Sequence, residues 1–218
     1  MRCCRRWKSL KIKHLVDLNQ ITEQALNAVR NHPQHDLNLG YRQVIWKELD
    51  SQDESGHLKR ATLAILASQY VLPIWNSVCQ DDTPTRVLTV AEQVLNGTLD
   101  VQLARTYKDE VWTKLENKAS APEYQSLEQQ KLINVELAAI ASLNSALYDE
   151  EFAPNNLNYD LTDADVDAYE SDSSFWAASA YANGPIWEPT SSVTKRLEFW
   201  EWWLTTAVSK SEKMLLDS

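Results

Sequence analysis

Three aspartates in alternation, Asp163, Asp165 and Asp167, form the pattern in this sequence that most suggests chemistry, because closely spaced carboxylates can hold a divalent cation. A calcium loop of the EF-hand type also needs glycine at its sixth position and glutamate at its twelfth. Those positions hold Ala168 and Ser174, so we reject the calcium loop.

Other patterns that would indicate an enzyme are weak. His32 and His35 have the spacing of a metal-binding pair, but Pro33 breaks the helix that would align them and no third ligand is near. Cys79 lies on an apolar stretch and is predicted to be a small core residue. No glycine-rich phosphate loop, nucleophile elbow or zinc-protease motif occurs. We therefore expect no cofactor, no metal and no catalytic residue.

The negative charge is concentrated in one region. The chain carries a formal charge of −10, from 21 basic and 31 acidic residues. Residues 132–194 contain 11 of these acids and no lysine or arginine, so the remainder of the chain is close to neutral. Such a region repels nucleic acid and steers basic proteins towards it. It predicts either a docking surface for a basic protein or an ordinary solvated helix face.

The candidate partner-binding residues combine exposed acids with aromatic side chains, because tryptophan is enriched among the residues that dominate interface energies. They are Asp160, Asp163, Asp165, Asp167, Glu170, Asp172, Trp187 and Trp202. We expect the acids among them to be solvated, so that neutralising several together would leave the core intact. A metal-dependent hydrolase of small molecules that uses segment 160–172 is the alternative function.

Aromatic residues are concentrated near the carboxyl end, where residues 186–208 contain four of the nine tryptophans. A helix is predicted from about Ser192, with Leu197, Trp200 and Leu204 on its core-facing side. Trp202 points roughly opposite Trp200, and most of the tryptophans are expected in the core.

The fold class follows from sparse glycine and helical periodicity. Only four glycines occur in 218 residues, whereas sheet proteins use glycine at their turns. We predict an all-α bundle of about seven to eight helices. Residues 1–35 form a basic extension with a first helix over 8–30, and residues 36–218 form the main part of one domain.

Two helices are predicted with particular boundaries. One starts at His57, is apolar on almost every side and is kinked or ended by Pro73. The other starts at Thr162, which Asp165 would cap, and reaches Ala182.

The longest apolar run, residues 61–75, is shorter than the ~20 residues that a bilayer crossing requires. No secretory signal follows the basic start. The adjacent pair Cys3 and Cys4 with a distant Cys79 resembles neither a disulfide framework nor a zinc site, and suits a reducing compartment. These features predict a soluble cytoplasmic protein without membrane contact.

Two blocks of sequence resemble a known family. They are GHLKRATLAILASQYVLPIW at residues 56–75 and FWAASAYANGPIWEP at residues 175–189, which leads into KRLEFWEWWLTTAV at residues 195–208. These blocks are similar to the fifth family of immunity proteins from bacterial polymorphic toxin systems. The resemblance implies a mostly helical, non-enzymatic protein that binds and neutralises a cognate toxin, of nuclease or deaminase type, in the cytoplasm.

The family motif also implies a set of structural residues, namely Arg60, Trp75, Arg196, Phe199, Trp200 and Trp203. Both arginines interrupt apolar helices, so each must pair with a carboxylate or with a carbonyl at a helix end. A helical adaptor without a toxin partner is a third possible function, and the oligomeric state is left open.

Overall fold

The computed structural model of the protein describes residues 17–50, 55–149, 157–167 and 171–213. The described residues form helices and turns without a strand, which confirms the predicted all-α class. The helices are α1 (Leu18–Asn31), α2 (Leu39–Asp50), α3 (Gly56–Asn76), α4 (Thr83–Leu95), α5 (Val101–Ser120), α6 (Leu127–Leu147), α7 (Ser173–Tyr181), α8 (Val193–Trp202) and α9 (Val208–Lys213). A π-helical turn, Trp203–Ala207, joins α8 to α9 into one continuous rod, which we call the α8–α9 rod. With this rod counted as one helix, the described residues contain eight helices.

Helices α3 and α6 form the centre of the bundle and pack directly on each other. Small side chains let their backbones approach, and the Ser142 hydroxyl donates to the carbonyl oxygen of Ala64 at 2.9 Å. The hydroxyls of Ser68 and Ser142 lie 2.8 Å apart in the same buried contact. The pair therefore satisfies its buried polar groups internally.

Two apolar clusters lie on opposite sides of this central pair. The larger cluster packs α1, α2, α7 and the α8–α9 rod against α3 and α6 and contains Trp75, Trp200 and Trp203, which are fully buried. The smaller one packs α4 and α5 against the other side. Cys79 is half-buried against the larger cluster, as a small apolar residue would be.

Pro73 does not end α3, although the sequence allowed that outcome. The helix continues to Asn76, which places Trp75 in the core. Pro73 and Gln69 are both exposed, so the Gln69 carbonyl oxygen that loses its helical partner can reach water.

Helix α8 and the π-helical turn after it bury a wider face than the single core-facing side that was predicted. Trp200 and Leu204 are buried as predicted, and Phe199 and Trp203 are completely buried beside them. Trp202 is half-buried and stacks on Tyr70 with ring centroids 4.0 Å apart.

The predicted helix over 162–182 is wrong. Thr162 and Asp165 do form the expected capping contact, since the Asp165 carboxylate accepts from the backbone N–H and the hydroxyl of Thr162. However, it caps only a 3₁₀ turn, Asp163–Asp165, after which Val166 is extended. A separate helix, α7, begins after Asp172, which caps it.

The acidic segment at 157–167 is attached to the start of α2 through a close backbone contact. The Gly40 N–H donates to the Leu161 carbonyl oxygen at 3.0 Å. A Cβ atom at Gly40 would lie 1.8 Å from the backbone oxygen of Asn158, so only glycine permits this approach.

Residues 1–16 lie outside the described chain, so the start of the predicted first helix is described only from Leu18. Ile21, Ala25 and Val29 of α1 are fully buried in the larger cluster. The domain boundary at residue 35 stays a prediction. None of the described helices has both the length and the apolarity needed to cross a membrane.

Candidate functional site

The acidic segment is divided between core and surface. Asp163 is only 6% exposed, whereas Asp160, Asp165 and Asp167 are exposed. Glu170 lies outside the described residues. The expectation that Asp163 belongs to a solvated face is therefore wrong, and neutralising it would act on the core.

Arg42 of α2 is the reason that Asp163 is buried. Its Nη2 lies 2.5 Å from Oδ1 of Asp163, and its Nη1 pairs with the carboxylate of Asp172. The arginine side chain is fully buried. Two acids of the candidate surface are thus used to attach the segment to α2.

Asp172 has a second structural role at the start of α7. Its Oδ1 accepts from the backbone N–H groups of Ser174 at 2.8 Å and Phe175 at 3.2 Å. Its side chain is only 16% exposed. Asp172 therefore caps a helix and pairs with Arg42, and little of it is left for a partner.

Burial of these charges shifts their titration. It raises the pKa of the Asp163 carboxyl from the ordinary 3.8 to about 6; Arg42 opposes this rise, and the nearby carboxylate of Asp172 adds to it. The pKa of Arg42 lies above its usual value, because its carboxylate neighbours outweigh the effect of burial. Arg42 thus stays charged while one of its partners titrates in a mildly acidic range.

This raised pKa predicts a pH dependence of stability. Between about pH 4 and pH 6 the folded state holds a proton on Asp163 that the unfolded state releases. The contribution is fully present below the unfolded pKa of 3.8 and is lost as the pH rises through about 6. Asp163→Asn removes this titrating group. When the pH falls from about 7 to about 4, the free energy of unfolding of the parent should therefore rise by about 1–3 kcal/mol relative to that of the variant.

Urea unfolding of both proteins at the two pH values measures this difference. Asp160→Asn, at an exposed site on the same segment, is the matched control. A parent-minus-Asp163→Asn difference that is flat, or that shrinks towards low pH, would contradict the assignment.

The exposed part of the segment is a small acidic surface with an aromatic residue in it. We define the acidic surface as Tyr159, Asp160, Asp165 and Asp167. Tyr159 is 38% exposed, and its ring packs against Tyr41 of α2 with centroids 4.9 Å apart. Hydrogen bonds from Thr162 hold the pKa of Asp165 below its usual range. Tyr159 was not among the residues predicted for the interface, although its position next to Asp160 is a signal that the sequence contains.

The two tryptophans proposed for the interface differ in accessibility. Trp187 is 54% exposed and stacks on Phe175 with centroids 5.7 Å apart, over the helix turn that Asp172 caps. Trp202 is half-buried against Tyr70. Trp187 is therefore the more accessible aromatic group for a partner.

A comparison with known protein families identifies the chain. The sequence model of a family described as Immunity protein Imm5 matches residues 22–210. The chain belongs to the Imm5 family. A search of curated proteins finds no match. The match confirms the resemblance and extends it beyond the two blocks that suggested it.

The family-motif arginines of this Imm5 protein are both paired. Arg196 lies 3.3 Å from Asp36 Oδ1 and donates to the Gly184 carbonyl oxygen at 2.6 Å. The indole Nε1 of Trp200 donates to the same Asp36 oxygen at 3.0 Å. Arg60 pairs with Asp149. These contacts are of the kind that arginines on apolar helices require.

The aromatic members of the motif, Trp75, Phe199, Trp200 and Trp203, are all completely buried. They belong to the larger apolar cluster rather than to a surface.

The alternative of a metal-dependent hydrolase finds little support in the geometry. Among the residues that the structure describes, no group of three or more histidine, cysteine or acidic side chains could hold a metal ion. Asp163, the centre of that hypothesis, is paired with Arg42 instead.

Proposed function

We propose that this Imm5 protein neutralises a basic protein toxin, of nuclease or deaminase type, by binding it in the cytoplasm without catalysing a reaction. Membership of an immunity family supports a protective role. The single observation that carries the proposed docking site is the acidic surface, which combines three exposed aspartates with a partly exposed tyrosine within residues 159–167.

Charge supports a basic partner. The acidic surface belongs to the region of 63 residues that has no lysine or arginine, so no side chain of that region compensates its field. A field of one sign raises the rate of encounter with an oppositely charged protein and suppresses contact with nucleic acid. A nuclease or deaminase has a basic groove of the complementary sign.

Rigidity supports docking on this segment. The Arg42 ion pairs lie beneath it, and the Gly40 contact attaches its backbone to α2. Because these contacts order the segment before binding, less conformational entropy is lost when the complex forms. Exposed aspartates contribute little individually, about 0–1 kcal/mol each, so their shared effect should appear mainly in the association rate.

Neutralising the surface acids together should therefore slow association. In the triple variant with Asp160→Asn, Asp165→Asn and Asp167→Asn, the association rate with the cognate toxin should fall about three- to tenfold at low salt. The dissociation rate should change little, and the dependence on salt should become flatter. Surface plasmon resonance with a catalytically inactivated toxin, at low and high salt, measures both rates.

A variant with the same loss of charge elsewhere is the control. Glu110, Glu116 and Glu123 are exposed and lie on or next to α5, so changing all three to glutamine removes three charges far along the chain from the segment. Equal slowing in both variants would mean that only net charge matters. Parental rates in the aspartate variant would overturn the docking site, and absence of any complex with the parent would favour the adaptor function.

A further inference from the structure

The charges that attach the acidic segment to the bundle form one cluster of two arginines and three aspartates. They come from α2, α8, the link between α1 and α2, the acidic segment and the start of α7, and are Arg42, Arg196, Asp36, Asp163 and Asp172. Four of them are buried, and Asp172 is 16% exposed. Trp200 connects the two arginines, because its indole donates to Asp36 and its ring centre lies 5.4 Å from the guanidinium carbon of Arg42. We call this group the buried cluster.

The buried cluster has more carboxylates than cations. With all five groups ionised, three carboxylates face two guanidiniums, which leaves a net charge of −1 among these described side chains. An uncompensated charge is unfavourable in a buried site, and one bound proton would remove it. The composition of the cluster therefore favours the uptake of one proton.

Asp163 is the member whose ionised form is least supported. Asp36 accepts hydrogen bonds from two donors of α8, and Asp172 accepts from Arg42 and from two backbone N–H groups of α7. Asp163 is bonded to Arg42 through Oδ1, and its buried Oδ2 has no hydrogen-bond partner among the described residues. Such an oxygen disfavours the carboxylate form, in agreement with the raised pKa of the Asp163 carboxyl.

The buried cluster and the acidic surface meet in one turn of the chain. Asp163 and Asp165 are the two ends of the 3₁₀ turn Asp163–Asp165, the first buried and the second exposed. Hydrogen bonds from Thr162 hold the pKa of Asp165 below its usual range, so this surface acid stays ionised where Asp163 titrates. A cation bound beside Asp165 would favour the ionised form of Asp163, because opposite charges interact strongly over so short a separation near a protein interior.

We propose that the buried cluster links the acidic surface to one proton, so that a cationic partner bound at this surface expels a proton from Asp163. This inference rests on the docking site proposed above and concerns its regulation. By linkage, a partner that expels a proton binds more tightly where that proton is already absent. Affinity should therefore weaken as the pH falls through about 6.

The probe is decalysine, a peptide of ten lysines, which supplies positive charge without a toxin. Carbon-13 NMR of the aspartate carboxyl groups follows Asp163 in the full chain from about pH 4.5 to about pH 7.5. Saturating decalysine should lower the midpoint of the Asp163 titration by about 0.5–1 pH unit. Because the signal belongs to one carboxyl group, histidines that titrate in the same range do not obscure it.

Two variants already described locate the effect. The triple aspartate variant removes the charges of the acidic surface and keeps every member of the buried cluster, so decalysine should displace its Asp163 midpoint much less than in the parent. The triple glutamine control, with the same loss of charge on or next to α5, should respond as the parent does.

Calorimetry in two buffers of different ionisation enthalpy measures the expelled proton. At about pH 5.5 the parent should release about 0.3–0.5 proton per bound decalysine more than Asp163→Asn does. The affinity of the parent should be about two- to fivefold weaker at about pH 5 than at about pH 7, relative to the same ratio for Asp163→Asn.

Two results would overturn the proposal. They are an Asp163 midpoint in the parent that decalysine leaves unchanged, and an equal displacement in the parent and the triple aspartate variant. Through-bond correlations assign the Asp163 signal, so the first result does not depend on the folding of any variant. The docking site itself fails if the toxin associates with the triple aspartate variant at parental rates, and the two failures are therefore distinguishable.

Discussion

Replacing Trp200 by alanine should lower the free energy of unfolding by about 3–5 kcal/mol, the range found when a large aromatic group is removed from a core. Trp200 is completely buried, and its ring packs edge-on against Phe199 and Trp203 at centroid distances of 5.0 and 5.8 Å. Its indole also donates to Asp36, which pairs with Arg196. The change therefore empties volume and weakens a buried polar contact at once.

Trp202→Ala is the matched control, two residues away on the same helix. It loses mainly the stacking contact with Tyr70 and should lower stability by about 1–2 kcal/mol. Urea unfolding followed by circular dichroism measures both variants. Equal losses at the two positions would show that the core-facing side of α8 is misplaced.

Replacing Arg42 by methionine should lower the free energy of unfolding by about 3–5 kcal/mol at neutral pH. The substitution keeps an apolar stem but leaves Asp163 and Asp172 without the cation that they share. Two carboxylates would then repel each other in a buried site, one of them beside the first turn of α7. The loss should shrink as the pH falls from about 7 to about 4, because protonation removes the charges that Arg42 balances.

Arg30→Met tests whether burial is what gives this ion pair its effect. Arg30 also pairs with an acid, lying 2.7 Å from Glu201, but its side chain is 53% exposed. An exposed pair contributes about 0–1 kcal/mol, so this variant should unfold close to the parent. A loss at Arg42 no larger than that at Arg30 would contradict a buried charge cluster.

The Arg42 variant also bears on function. Since Arg42 underlies the acidic surface, its loss should disturb the positions of Asp160, Asp165 and Asp167 without changing them chemically. Weaker toxin binding by a still-folded Arg42→Met protein would support a role for rigidity, separate from charge.

The class of fold, the family and many of the core residues could be predicted from the sequence alone. Few glycines and a 3.6-residue period predicted helices, because these properties belong to single segments and need no knowledge of their neighbours. The aromatic helix was predicted with Trp200 inward and Trp202 outward for the same reason. The two arginines of the family motif could be expected to be paired, since no arginine is stable alone on a buried face.

Which acids face the solvent depends instead on contacts between distant parts of the chain. Asp163 and Asp165 are two residues apart and chemically identical, yet one is buried and the other exposed. The difference comes from Arg42, which is 121 residues away along the chain and adjacent in space. Contacts between distant segments arise from packing, which leaves no periodic pattern in the sequence. The pattern of acids therefore predicted a charged region, but not the buried ion pair between Asp163 and Arg42.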